Sequence, residues 1–174
     1  MAEITFFSNK SRNETSRYFF VIIFSIITWI LQVSVFSKPF CFDATPNLML
    51  LGSIYIGLTF GPQAGTLYGI TSSFLGASIL YDHVFYFSYP LIGFLAGLLI
   101  KNIFSDEYLF FILLSFFLTF PLELINSWQY GFNNSINTFD RYLLVAFNGG
   151  ILNLVSAPLF YSLIKFVTKK FKLR

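Results

Sequence analysis

Asp82 and Glu123 are the side chains in this sequence best suited to do chemistry, because each stands at or near the end of a long apolar run. A carboxylate at the centre of a bilayer costs at least about 2.5 kcal/mol on the insertion scale, so each needs a partner, a wet surface or a role. Two such groups suggest acid–base work. That chemistry also needs a nucleophile, a metal or an oxyanion site beside them, and nothing near them in the sequence supplies one. Cys41 is the only cysteine and His83 the only histidine. This excludes an intrachain disulfide, a metal-ligand cluster and a histidine-based triad. An Asp82-His83 proton relay lacks the same surroundings. The expectation is therefore no enzyme, with no catalytic, cofactor-binding or metal-binding residue.

The elements that must hold these acids follow from composition. Of 174 residues, 56% are hydrophobic and only 11% charged, and the mean hydropathy is +0.71. A soluble domain carries about 25% charged residues, so this chain has too few to cover a water-facing surface. It reads as an all-α integral membrane protein of one domain. The net charge of +3 reflects topology rather than nucleic-acid binding, because the basic residues stand at the chain ends and between apolar runs. Six apolar segments are expected as helices, since lipid leaves no partner for an unpaired backbone. They cover 18–36, 47–60, 63–81, 84–100, 108–125 and 143–166. The first is long enough to stay as a span and lacks the features of a cleaved signal.

These segments divide the chain into a cytoplasmic segment 1–17, a transmembrane domain 18–166 and a basic tail 167–174. With six spans both ends share one side, which then holds nine of the basic residues, from Lys10 to Arg174. Lys38 and Arg141 alone fall opposite. That bias places both termini in the cytoplasm. The tail serves as a stop-transfer anchor or touches anionic lipid. The connection 126–141 is expected to be the longest, with Trp128, Tyr130 and Phe132 as an interfacial belt.

In this orientation the odd-numbered spans run outward. Asp82, Glu123 and Gln32 then share a depth near the outer boundary, with Asn148 and Asn153 in the sixth span. One reading makes Gln32, Asp82, Glu123 and Asn148 an outward-opening polar cluster that receives a ligand, a partner segment or lipid. In the other, the acids reach to the interface and the amides bond between helices at about 1 kcal/mol each.

The third segment carries a second pattern. Gly61, Gly65, Gly69, Ser73 and Ala77 recur every four residues, which on a helix draws a shallow groove. Gly93 and Gly97 repeat the spacing in the fourth segment. Such stripes let helix backbones approach closely, so the groove is expected to hold the fourth or the second helix. Gly61-Pro62 leaves room only for a tight turn, making the second and third helices a hairpin.

The order of these features resembles the rod-shape-determining MreD family of bacteria over nearly the whole chain. The matching residues are Leu31-Gln32; Pro46-Asn47-Leu48-Met49-Leu50-Leu51; Tyr55; Gly61-Pro62 with Gly65 and Gly69; Asp82; Ile92-Gly93-Phe94-Leu95-Ala96-Gly97; Glu123; and Asn153 followed by Pro158 and a basic tail. Thr45 stands where the family usually has Arg, and HVFYFSY after Asp82 replaces a Ser-Gly-Gly-rich loop. The resemblance implies a six-transmembrane-helix bundle like the substrate-binding subunits of energy-coupling-factor transporters. It implies a non-enzymatic scaffold of the bacterial inner membrane, partnered by MreC and linked to MreB, RodA and a penicillin-binding transpeptidase. A vitamin-binding transporter subunit is the alternative. Those subunits usually dock through an Ala-x-x-x-Ala surface on the first helix, and FFVIIFSIITWILQVSVF contains no alanine.

Overall fold

The computed structural model describes residues 9–36, 44–80, 85–99, 106–133 and 139–170. They form six helices and no strand: α1 (Asn9–Ser34), α2 (Leu48–Phe60), α3 (Pro62–Leu80), α4 (Phe85–Leu99), α5 (Glu107–Asn133) and α6 (Phe139–Lys170). Within α1, α5 and α6 the stretches Glu14–Ser34, Glu107–Gln129 and Phe139–Lys170 are long and apolar enough to cross a membrane. The helix α2 and the Ser88–Leu99 part of α4 are apolar but shorter.

One expectation is corrected. The segment 126–141 is not the longest connection, because α5 continues as helix to Asn133 and α6 begins at Phe139. The longest break between described helices is instead 35–47. A helix satisfies its own backbone in water as well as in lipid, so a turn from apolar to polar side chains does not end one. Trp128 stands exposed on this extension of α5.

The organising element is α2. Its 13 residues span about 20 Å, less than the roughly 30 Å of a hydrocarbon core. Every residue from Leu48 to Leu58 is buried, and the helix contacts all five others. LMLLGSIYIGLTF has no polar face to turn outward, as expected of a helix enclosed on all sides. Tyr55 anchors it in an aromatic cluster, edge-on to Phe111 of α5 at 6.0 Å and to Tyr161 of α6 at 5.3 Å.

The chain reverses from α2 to α3 through a single residue. Gly61 holds φ +95°, a conformation that suits glycine, and its N–H donates to the Gly57 carbonyl at 3.0 Å. Pro62 then opens α3, where its missing N–H leaves no bond unmade.

Candidate functional site

The glycine stripe of α3 is filled by α4, which runs antiparallel to it. A Cβ on Gly65 would overlap the Gly93 carbonyl, one on Gly69 the Pro90 backbone, and one on Gly97 the Pro62 backbone. Gly57 of α2 enters the same contact against Gly93 and Ala96. Three helices thus cross where only hydrogen atoms separate their backbones. Ser73 and Ala77 continue the stripe as buried residues. Gly61 differs from the others, because nothing lies within 4 Å of the position its Cβ would take. Its role is the turn.

The main polar site surrounds the N-terminus of α2. A buried helix start leaves amide groups that lipid cannot satisfy, and side chains from several helices converge on them. Asn47 caps the helix with its own Oδ1, which accepts from Leu50 N at 3.0 Å. The same oxygen accepts from the Tyr89 hydroxyl of α4 at 3.1 Å. Leu48 N donates to Gln32 Oε1 at 2.8 Å, while Gln32 Nε2 donates to the Pro46 carbonyl at 3.0 Å. Asn47 N donates to Asn153 Oδ1 at 2.6 Å. Asn153 Nδ2 donates to Thr119 Oγ1 of α5 at 2.7 Å, and Thr119 in turn donates to the Ser115 carbonyl. The side-chain amides of Gln32 and Asn153 are therefore each used at both ends. Asn153 and Thr119 are fully buried.

A smaller polar contact ties α1 to α3. The Tyr68 and Thr28 hydroxyls lie 2.6 Å apart. Gly52 makes room for them, since the Tyr68 ring occupies the space a Cβ there would need.

Of the residues read from the sequence as an outer cluster, Gln32, Glu123 and Asn148 fall among the described residues, and Glu123 and Asn148 both adjoin Gly149. Gln32 holds the start of α2. Glu123 is half-buried on α5, with its side chain against Gly149 of α6. Asn148, half-buried, immediately precedes that glycine. Asp82 lies outside the described residues, as do His83 and Cys41. Sequence reasoning did not assign Asn47, Tyr89 and Thr119 to a site. For Asn47 a signal existed, since Asn directly before an apolar run is a helix-start signature.

The hydrogen bonds of the α2 site join amides, hydroxyls and backbone groups, and the Tyr89 phenol is the ionisable side chain among them. The site's observed hydrogen bonds run to protein backbone and between its own members. This arrangement can position a helix rather than transfer a proton. Among the described residues, no group of three or more His, Cys, Asp or Glu side chains is placed to hold a metal ion. Compared with known proteins, the chain matches no family model, no curated protein and no solved structure.

Proposed function

We propose that this chain is a six-span, non-enzymatic scaffold of the bacterial inner membrane. In this reading it belongs to the MreD type, binds MreC, and supports lateral peptidoglycan synthesis and cell shape. Both termini face the cytoplasm, towards MreB, while RodA and its transpeptidase are neighbours in the membrane. Residues of the family-like pattern meet each other in the bundle, and that is the observation supporting the reading. Gln32 and Asn153 bind the Pro46-Asn47-Leu48 segment. Gly65 faces Gly93, and Pro62 faces Gly97. A pattern carried by mutual contacts is a single unit, whereas unrelated short matches would scatter. Pro46-Asn47 begins the enclosed helix, Gly61-Pro62 turns it back, and both give the bundle a rigid form suited to assembly.

The transporter-subunit alternative requires a polar pocket for a vitamin. The polar side chains around α2 are already engaged, and the cavity between α1 and α6 is lined mainly by hydrocarbon. Purification of the tagged protein from native membranes in mild detergent, followed by mass spectrometry, distinguishes the two. Recovery of MreC is the expected result. Recovery of a transport subunit with paired ATPases overturns the scaffold reading.

A further inference from the structure

The helices α1 and α6 enclose a lateral groove of about 760 Å³. Its direction is fixed by contacts along it. At one end Gln32 and Asn153 both bind the start of α2. Midway, the Phe24 and Phe160 rings lie 6.1 Å apart. The other end is bounded by Ser16 and Val167. From Ser16 to Leu31 the groove runs about 22 Å along α1, most of the thickness of a hydrocarbon core of about 30 Å.

Two features of the groove identify its occupant. First, its lining includes neither Gly nor Ala and consists mostly of Phe, Ile and Leu. Helices that pack in membranes meet through small residues, as α3 and α4 do. A wall of large, rotatable side chains suits a flexible hydrocarbon chain better than a helix. Second, the Ser16–Val167 end is basic. Lys170 follows Val167 by three residues on the same face of α6, with exposed Lys169 beside it, and exposed Arg17 follows Ser16 on α1. Against Glu14 on α1 and Asp106 and Glu107 at the start of α5, the described basic residues Arg17, Lys165, Lys169 and Lys170 leave an excess of one positive charge at this end.

We propose that this groove is a binding site for an anionic phospholipid of the membrane. One acyl chain lies along Phe19, Ile23, Ile27, Leu159 and Leu163, and the phosphate sits at Lys170 and Arg17. Lipid held this way fills the space between α1 and α6 and ties the basic tail to the bundle. The proposal needs only the membrane setting and stands whether or not MreC is the partner.

The test is native mass spectrometry of the full chain, delipidated and incubated with equal dioleoylphosphatidylglycerol or dioleoylphosphatidylcholine. Adducts with the anionic lipid should exceed those with the zwitterionic one by at least about fivefold, as two basic side chains near the headgroup allow. The Arg17→Gln/Lys170→Gln double variant should lose that preference, and Lys169→Gln should keep it. Leu163→Trp, or Leu159→Trp if the first folds poorly, should lower adducts of both lipids by occupying the groove. Leu113→Trp, on an exposed part of α5 outside the groove, should leave them unchanged. Unchanged helicity by circular dichroism qualifies each variant. Equal retention of the two lipids overturns the proposal, as does a groove variant that behaves like Leu113→Trp. A photo-crosslinker at position 163 that captures a single-span protein or a second copy instead of lipid also overturns it.

Discussion

The α3–α4 contact and the α1–α6 groove are both helix pairs in one bundle, yet they are built from opposite materials. In the first, Gly65 and Gly93 bring backbones together. In the second, Leu159 and Leu163 are 71% and 67% exposed, and the two helices stand apart around a cavity. The difference shows what each surface recognises. Glycine gives a fixed shape complementary to one partner, because the backbone cannot move aside. Long side chains give an adaptable wall that holds shapeless material. Water plays no part in either choice, since lipid tails are as apolar as leucine.

This contrast ranks the effects of substitution. Gly65→Leu or Gly93→Leu should be the most damaging, because the added atoms meet backbone rather than a movable side chain. We expect a loss of about 3 kcal/mol or more, measured by reversible unfolding in detergent. A tolerated leucine there would mean the helices are not in backbone contact.

Asn153→Leu should come next, at about 1–2 kcal/mol, since it orphans Asn47 N and removes the bond that Thr119 accepts, while Thr119 keeps its bond to Ser115. Gln32→Leu should cost a similar amount by freeing Leu48 N and the Pro46 carbonyl. Hydrogen exchange at the start of α2 is the sharper readout, and protection there should fall in both variants. Tyr68→Phe removes only the bond to Thr28 and leaves the ring over Gly52. Its cost should be about 0.6 kcal/mol by the same unfolding assay.

Smallest of all should be Gly76→Ala and Leu159→Ala, each within about 0.5 kcal/mol. Gly76 lies on α3 but off the stripe, and its Cβ would meet only the Met49 sulfur at 3.6 Å. A large loss at Gly76 would show that any glycine on α3 matters, and the stripe would lose its meaning.

Much of the architecture was legible because apolar run length reports helices directly when the backbone has no other partner. The turn at Gly61-Pro62 was legible because glycine and proline each permit few alternatives there. The site was harder to read. Asn148 and Asn153 are both amides in α6, and nothing local shows that Asn153 turns towards Asn47, 106 residues away in sequence. That choice depends on the rotation of α6 against α2, set by all the packing between them. The extension of α5 to Asn133 was missed because polar composition marks where lipid would end, not where a helix ends.

The enclosed position of α2 also bears on how the protein is made. A ribosome makes α2 well before α6 exists. Until then the Asn47 N–H lacks the oxygen it later meets on Asn153. A 13-residue segment is also a poor stand-alone span, and the one-residue link at Gly61 ties its fate to α3. The hydrogen bonding at the start of α2 is therefore completed only once α6 has been made.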